Sequence, residues 1–270
     1  MKNKIKKILT KLAEMNFFPY FGIELEFYVL NDLSNSEVEE LLERISHLLN
    51  LETKQEKGYR QYEIATPVFR NAFQATKYIN FAKQTMMSIS SNISFSPKPY
   101  IHDHGSAMHI HMSLVNENGV NIFNDYDQIE ENRILLYSIA GILELLNISL
   151  NMIISNDILE FSRLHNSDMA PSRIAWGKNN RTTAIRIPDS PPTARNRRIE
   201  FRVPSAQSCI SSNILFLLTA IFYGIQNKIQ PPPCIYGNAS DEIYNLNRMY
   251  DNFISVQDNF LFWKILNGIL

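Results

Sequence analysis

Two spacings of apolar residues recur along the chain and predict a mixture of helices and strands. Apolar residues three or four positions apart are typical of one helix face, whereas alternation with polar residues is typical of a strand. The helical spacing covers residues 1–15, 38–49, a stretch that ends at 90, 132–154 and 212–229. The alternating spacing covers residues 21–30, 61–65, 93–99, 108–115, 174–176, 183–187 and 199–203. We therefore predict one α+β domain over residues 1–270, built on a largely antiparallel, curved sheet with flanking helices.

Composition and charge argue against some classes of binding partner for this protein. The chain has 26 Lys and Arg against 27 Asp and Glu, a formal net charge of −1, which argues against a nucleic-acid partner. The apolar stretch 214–225 is shorter than the roughly 20 residues that span a bilayer, and the lysine-rich residues 1–15 lack the apolar core of a secretory signal. Two cysteines, Cys209 and Cys234, form no disulfide framework. These features predict a cytoplasmic protein without a membrane partner.

Polar residues recur at alternate positions in three of the predicted strands. Because successive strand residues point to opposite faces, two residues that are two apart share a face about 7 Å from each other. A single His-x-His is more often a solvated strand face, but three such patterns in one chain are harder to explain that way. The alternating polar residues are Glu24 and Glu26, His109 and His111, and Arg198, Glu200 and Arg202.

Carboxylates on one strand face repel each other unless a cation lies between or beside them. Glu56 and Glu63, near the strand at 61–65, add two further carboxylates to those of Glu24 and Glu26. A cluster of several glutamates with one or two histidines suits Mg²⁺ or Mn²⁺ better than zinc or copper. The pattern therefore predicts a divalent-metal site.

Arginines are concentrated in the second half of the chain. The segment 163–202 contains Arg163, Arg173, Arg181, Arg186, Arg195, Arg197, Arg198 and Arg202. Guanidinium groups bind phosphate and carboxylate bidentately, although a solvated basic face with ion pairs explains the concentration equally well. Metals with arginines are the equipment of phosphoryl transfer. Neither a GxxxxGK[ST] loop nor GxGxxG occurs in the sequence, so a nucleotide would be held in another way.

Five ordered motifs resemble the catalytic domain of the glutamine synthetase family. They are GIELEF at 22–27, HGSAMHIHMSL at 104–114, APSRIAWGKNNRTTAIRIP at 170–188, RRIEFRVP at 197–204 and GIQNKIQPP at 224–232. The resemblance covers roughly residues 5–235 and is strongest over 17–235. It implies an ATP-dependent ligase with two bound Mg²⁺ or Mn²⁺ ions. The substrate carboxylate would be activated as an acyl phosphate and then coupled to ammonia or another amine.

The resemblance also implies a role for individual residues. The implied ligands of one metal ion are Glu26, Glu56 and Glu63. The implied ligands of the second, which bridges the ATP phosphates, are Glu24, His109 and Glu200. The arginines that would bind ATP and act in catalysis are Arg181, Arg186 and Arg198. The implied contacts of the amino-acid or carboxylate substrate are Gly105, His111, Arg163 and Arg202.

The chain departs from the family pattern mainly where ammonia would bind. Met169 stands where the family has a flap glutamate that takes a proton from the ammonium, and neighbouring Asp168 is the one substitute nearby. His104 stands where the family has an asparagine, and the segments 159–162 and 205–211 lack the usual polar residues. We further expect the family's N-terminal β-grasp domain to be absent, so that the chain would form a homo-oligomer or use a separate β-grasp partner chain.

These departures leave more than one function open. The first is a glutamine synthetase-type ligase acting on a small carboxylate. The second is a non-catalytic or amine-site-impaired relative that binds nucleotide and metal, or a partner chain. A third, phosphorylation of a carboxylate without amine transfer, is favoured only by Met169.

Overall fold

The computed structural model describes residues 1–30, 33–124, 132–146, 148–165, 169–190, 195–249 and 260–270. Its strands are β1 (Phe18–Val29), β2 (Thr53–Gln55), β3 (Gln61–Ala65), β4 (Ile93–Ser94), β5 (Met108–Val115), β6 (Arg173–Lys178), β7 (Thr183–Ile187) and β8 (Ile199–Phe201). Its α-helices are α1 (Lys2–Glu14), α2 (Asn35–Leu49), α3 (Ala72–Ile89), α4 (Arg133–Leu146), α5 (Leu150–Ile153), α6 (Leu159–His165), α7 (Ile210–Asn227) and α8 (Phe260–Ile269). A 3₁₀ turn, Glu242–Tyr244, follows α7.

The strands form a mixed but largely antiparallel sheet in the order β2-β3-β1-β5-β8-β7-β6, with β4 paired to β1. Only β6 and β7 run parallel to each other among these pairs. This arrangement, with helices packed against the sheet, confirms the predicted α+β fold class.

The side chains of strand β1 give the sheet one apolar face and one charged face. Phe21, Ile23 and Leu25 are at most 1% exposed and belong to the hydrophobic core. Glu24 and Glu26 alternate with them and therefore point to the opposite face. The alternation in the sequence thus places the carboxylates on the face away from the core.

Helix α7 is the apolar centre of the helical layer. It contacts α1, α3, α4 and α5, and the ring of Phe216 stacks on Phe201 of β8 at 5.6 Å. Its length and composition would let it cross a membrane, but 72% of its apolar window is buried inside the protein. Where α4 and α7 cross, Gly141 and Gly224 lie so close that a Cβ on Gly224 would overlap the carbonyl oxygen of Tyr137.

Several predicted elements differ from those observed. The single helix expected over 132–154 is instead two helices, α4 and α5, and residue 147 between them lies outside the described part of the chain. The strand expected over 93–99 contains only Ile93–Ser94, because Pro97 and Pro99 cannot donate to a ladder. Short strand β2 and helices α6 and α8 were not predicted.

Candidate active site

Cross-strand pairing gathers the predicted site residues on the charged face. Glu24 lies opposite His109 in the β1–β5 pair, and Glu26 lies opposite Glu63 in the β1–β3 pair. His111 lies opposite Glu200 in the β5–β8 pair. Residues directly opposite each other have Cβ atoms about 5 Å apart on the same face. Four neighbouring strands therefore bring together carboxylates and imidazoles that are far apart in the sequence.

His109 lies in the centre of this cluster. Its Nδ1 is 3.3 Å from Glu24 Oε2, 3.9 Å from Glu200 Oε1 and 4.0 Å from Glu26 Oε1. His111 Nε2 lies 3.0 Å from Glu24 Oε1, but among the described residues it has no partner aligned for a hydrogen bond. A buried imidazole nitrogen without such a partner, facing a carboxylate, is suited to binding a cation.

Donor atoms of these residues fall into two groups within which all ligand atoms lie within 4.8 Å of one another. One group is Glu24, Glu63 and His109, and the other is Glu24, His111 and Glu200. Glu24 therefore belongs to both groups. The implied ligand sets had placed Glu26 and Glu56 with Glu63, and His109 rather than His111 with Glu200. All of these residues except His111 line one cavity, and the assignment of ligands to individual ions stays a prediction.

Burial and like charges perturb the carboxylates in a way that favours a bound cation. Burial raises the pKa of Glu63 to about 8, and the charges of Glu24, Glu26 and Glu56 raise it further. Burial also raises the pKa of Glu26 to about 8, although a hydrogen bond from the Ala107 backbone N–H acts to lower this pKa. Carboxylates that repel one another, together with imidazole, form a donor set that fits Mg²⁺ or Mn²⁺.

The histidines and arginines have the opposite effect on two other carboxylates. Burial would raise the pKa of Glu24, but His109 and His111 lower it well below its usual range. Burial would likewise raise the pKa of Glu200, yet His109 and Arg202 bring it down to about 2. Burial lowers the pKa of His109 to about 4, and Arg202 lowers it further. Glu24 and Glu200 are thus ionised beside a neutral His109 at neutral pH.

Three of the predicted arginines contact residues of the candidate metal-ligand groups directly. Arg186 Nη1 donates to Glu200 Oε2 at 2.7 Å, and Arg202 Nη1 donates to Glu200 Oε1. Arg198 Nε donates to His111 Nδ1 at 2.9 Å. Arg181 is exposed at the same cavity. The guanidinium groups therefore border the carboxylate cluster. Phosphate oxygens bound there would contact the guanidinium groups and any metal ion held by the carboxylates.

Two cavities open from this face. The first, about 160 Å³, is lined by the clustered glutamates, His109, four arginines and the segment Met169 to Pro171. The second, about 440 Å³, is lined by Tyr20, His111, Ser113, Arg195 and Arg198 among other residues. Glu24 lines both cavities. The carboxylate cluster thus lies at the junction of a small charged cavity and a larger, more apolar one.

Gly105 and Arg163, which were predicted to hold the substrate, lie against each other at the first cavity. A Cβ on Gly105 would overlap the Arg163 side chain, so only glycine allows this approach. The Arg163 side chain is nearly buried, and its Nε donates to Glu160 at 2.9 Å. His104 also lines the cavity, and its carbonyl accepts a hydrogen bond from Tyr28 at 2.7 Å.

Two residues of this network were missed in the sequence analysis. Gln61 is buried, and its Nε2 donates to both Glu26 Oε2 and the Gly105 carbonyl, which ties the carboxylate cluster to the loop at Gly105. Glu160 is completely buried beside Arg163. The i, i+3 spacing of Glu160 and Arg163 is a signal that could have indicated the pair.

Met169 occupies the cavity wall where the family pattern has a glutamate. Its backbone carbonyl accepts a hydrogen bond from Arg202 Nη2 at 3.1 Å, and Ala170 and Pro171 extend the wall beside it. Asp168, the suggested substitute, lies outside the described residues. In the described part of this segment, the wall presents no acidic side chain.

The fold and its charged face define an α+β domain with a candidate divalent-metal centre. The profile of the glutamine synthetase catalytic domain matches residues 47–250. The chain therefore belongs to the glutamine synthetase family, as the motifs had indicated.

Curated relatives agree with this membership, and a solved structure shares the fold. The gamma-glutamylputrescine synthetase PuuA of Escherichia coli (strain K12) is 24% identical over 89% of this chain and 58% of its own length. The glutamine synthetase of Thermotoga maritima is 27% identical over 87% of this chain and 59% of its own length. A ligand-free structure of GmaS superposes with a TM-score of 0.79 at 20% identity, covering 98% of this chain and 68% of that one. The chain thus spans somewhat less than 60% of the length of these two curated relatives.

Proposed function

We propose that the protein is an ATP- and divalent-metal-dependent ligase that couples a carboxylate to ammonia or an amine. The observation that carries this proposal is the convergence of glutamates, histidines and arginines at the junction of two cavities. The names of the curated relatives, glutamine synthetase and gamma-glutamylputrescine synthetase, support amide formation by ammonia or by a larger amine.

The metal ions would be held by the two groups of ligand atoms. Glu24, Glu63 and His109 would bind one ion, and Glu24, His111 and Glu200 the other, with Glu26 and Glu56 on the wall of the same cavity. Bound ions would supply positive charge to offset the phosphate oxygens of ATP. Arg181, Arg186 and Arg198 would add hydrogen bonds to these oxygens, which guanidinium groups do bidentately.

The larger cavity is the place for the rest of ATP. It adjoins the cluster through Glu24, His111 and Arg198, so a nucleotide bound there would direct its phosphates at the carboxylates and arginines. The carboxylate substrate would enter the first cavity beside Gly105, Arg163 and Arg202. The two substrates would then meet at the carboxylates and arginines, which would hold them in position. Such positioning is the main contribution to catalysis of phosphoryl transfer.

The proposed reaction has two steps. A substrate carboxylate oxygen forms a bond to the γ-phosphorus of ATP as the bond to the leaving ADP oxygen breaks, which gives an acyl phosphate. The amine nitrogen then forms a bond to the acyl carbon as the carbon–oxygen bond to phosphate breaks. Phosphate and a proton are released, and the product is an amide.

Met169 favours a second candidate function. Without an acidic side chain on this wall, no described group of the segment can take a proton from an ammonium ion. The alternative is therefore an amine-site-impaired relative that binds metal and nucleotide, or a partner chain, without completing the second step. It predicts ATP binding that depends on metal but no amide product.

Phosphate release tests the ligase. The purified protein is incubated with ATP, Mn²⁺ or Mg²⁺ and a panel of carboxylates and amines. We expect phosphate to be released only when one particular carboxylate of the panel is present. In Glu200→Gln the rate of release should fall by at least about 100-fold, because a metal ligand is removed. Glu39→Gln, on an exposed face of α2, is the matched control and should retain full activity. Equal turnover by wild type and Glu200→Gln across the panel contradicts the ligase.

Partners and location are also proposals. We propose either a homo-oligomer or association with a separate β-grasp chain, which sedimentation of the purified protein alone and with candidate chains would separate. We propose a cytoplasmic location, supported by the free thiols of Cys209 and Cys234.

A further inference from the structure

The guanidinium of Arg163 is almost completely enclosed by protein. Arg163 lies on α6, its residue is 2% exposed, and the Gly105 backbone packs against its aliphatic part. Its Nε donates to Glu160 Oε2 at 2.9 Å, and its Nη2 donates to the carbonyl oxygen of Val203. The side chain nevertheless lines the first cavity, where the substrate would bind.

Glu160 is a carboxylate with a full set of hydrogen bonds and no exposure. It is 0% exposed and does not line the cavity. Its Oε1 accepts from the Ser155 backbone N–H at 2.8 Å, from Ser155 Oγ at 2.7 Å and from Ser205 Oγ. Its Oε2 accepts from Arg163. Four donors to the carboxylate fix its position.

The pair of Glu160 and Arg163 therefore carries no net charge where the substrate would bind. In a buried environment the field of Glu160 is poorly screened by water, so it offsets the attraction of Arg163 for an incoming anion. Arg202, the second guanidinium predicted to hold the substrate, is likewise bound to a buried carboxylate, Glu200. Glu200 also accepts from Arg186 and belongs to a group of metal-ligand atoms, so Arg163 is the substrate-side guanidinium that has a carboxylate of its own.

The neighbouring loop adds a further pair of opposite charges. Lys98 is buried near Arg163, and burial lowers its pKa while Asp103 opposes that shift. Asp103 in turn accepts hydrogen bonds from the backbone N–H groups of His104 and Tyr59, each at 2.7 Å. These residues leave no net positive charge around the buried end of Arg163 to select a carboxylate.

We propose that Glu160 is a positioning residue that fixes and neutralises Arg163. As a result, the site accepts a carboxylic acid whose second group is a neutral hydrogen-bond acceptor as readily as one with a second carboxylate. The inference rests on the proposed function for the location of the substrate. It extends that function by naming the substrate class, which includes acids carrying an amide carbonyl at the Arg163 end.

The test compares two probes that differ only in this group. L-Glutamate carries an α-carboxylate, whereas L-glutamic acid α-amide carries a neutral carbonyl at the same atom and keeps the side-chain carboxylate. Their dissociation constants for the full chain are measured by calorimetry with Mn²⁺ present. We expect the wild type to bind both within about threefold, since a charge-assisted hydrogen bond to an unbalanced guanidinium would favour glutamate by about tenfold or more.

Glu160→Gln removes the negative charge while keeping the size of the side chain. Arg163 then regains a net positive charge, and the preference for L-glutamate over its α-amide should rise by about tenfold. Ser205→Ala removes one hydrogen bond to Glu160 but keeps its charge, and should leave the ratio unchanged. The ratio would not shift if Glu160 served only to hold the fold.

Every outcome bears on the inference. A wild-type preference for L-glutamate above tenfold overturns it, and this measurement does not depend on whether Glu160→Gln folds. An unchanged ratio in folded Glu160→Gln overturns it, as does the failure of the wild type to bind either probe. If both probes bind equally but no phosphate is released with any carboxylate, the ligase proposal fails while the role of Glu160 stands.

Discussion

Individual side chains at the site are tuned by what lies directly beside them. Glu63 and Glu24 illustrate this, because they lie in one ligand group but have pKa values shifted in opposite directions. Glu63 faces other carboxylates, whereas Glu24 faces two histidines. The same residue type thus serves different roles through its neighbours.

Met169 gives a prediction at this scale. Met169→Glu places a carboxylate on the cavity wall, where it can take a proton from an ammonium ion. We expect amide formation with ammonia to rise by about 100-fold, a typical contribution of a general base. Amide product is measured by mass spectrometry, and Met169→Gln, equal in size but without the charge, is the control. An equal effect of both substitutions rules out acid–base chemistry at this position.

Cys209 gives a second prediction, outside the site. Burial would raise the pKa of its thiol, but hydrogen bonds from Ser212 and Ser211 and the nearby Lys83 lower it overall. A lowered pKa increases the fraction of Cys209 that is thiolate at neutral pH. This fraction falls as the pH drops through the lowered pKa of the thiol. In a Cys234→Ser variant, we expect the rate of the Cys209 reaction with iodoacetamide to rise with pH. The midpoint of this rise should lie below the ordinary thiol pKa of about 8.5.

Lys83→Met provides the matched comparison for this thiol. Removing the cation should raise the midpoint and slow the reaction at pH 7, because the thiolate loses its electrostatic support. Burial lowers the pKa of Lys83 itself to about 8, so its support is present below that pH and weakens above it. Identical pH profiles in the two proteins would show that Lys83 has no influence.

Which site residues the sequence could predict depended on whether they alternate along a strand. Glu24, Glu26, His109 and Glu200 were recognisable because period-2 alternation assigns a face without knowledge of the neighbouring strand. Their pairing required the sheet register, which is a tertiary property. Glu160 was passed over because burial of a carboxylate depends on donors such as Ser205, 45 residues away.

At the scale of elements, patterns bounded by turns were predicted best. The bounds of β3, β5 and β7 agree with the sequence prediction, since each is a short alternating run. The break between α4 and α5 was missed because helical spacing continues through it without glycine or proline. Helix α6 was missed because its buried positions include Glu160 and Arg163, which look polar in a sequence pattern.

The crossing of α4 and α7 supports a prediction about stability. Gly224→Ala would force a methyl group against the Tyr137 carbonyl, and we expect a loss of about 1–3 kcal/mol in the free energy of unfolding. Gly268→Ala, in helix α8, has open space around the new methyl and should be neutral or gain up to about 1 kcal/mol. Chemical denaturation measures both. Equal effects would mean that the close approach does not limit packing.

At the scale of the whole molecule, binding at the site should be visible as stability. Ligands that bind only the folded state stabilise it by about 2.7 kcal/mol at 100 times their dissociation constant. We expect Mn²⁺ with ATP to raise the melting temperature by about 5 °C or more at such concentrations. Glu24→Gln should remove most of this shift, because Glu24 belongs to both ligand groups.

A matched control separates this effect from unspecific ion binding. Glu39→Gln, on an exposed helix face, should show the full shift in melting temperature. If Glu24→Gln and wild type shift equally, the ions bind elsewhere.

The position of β1 in the sheet has a consequence for synthesis of the chain. Its partner β5 comes late, since the paired residues Glu24 and His109 are 85 residues apart. At about 5–20 residues per second, a ribosome needs about 4–17 s to deliver this partner. During that interval the apolar face of β1 and one of its edges are unprotected. The nascent chain is therefore most vulnerable to aggregation before β5 emerges.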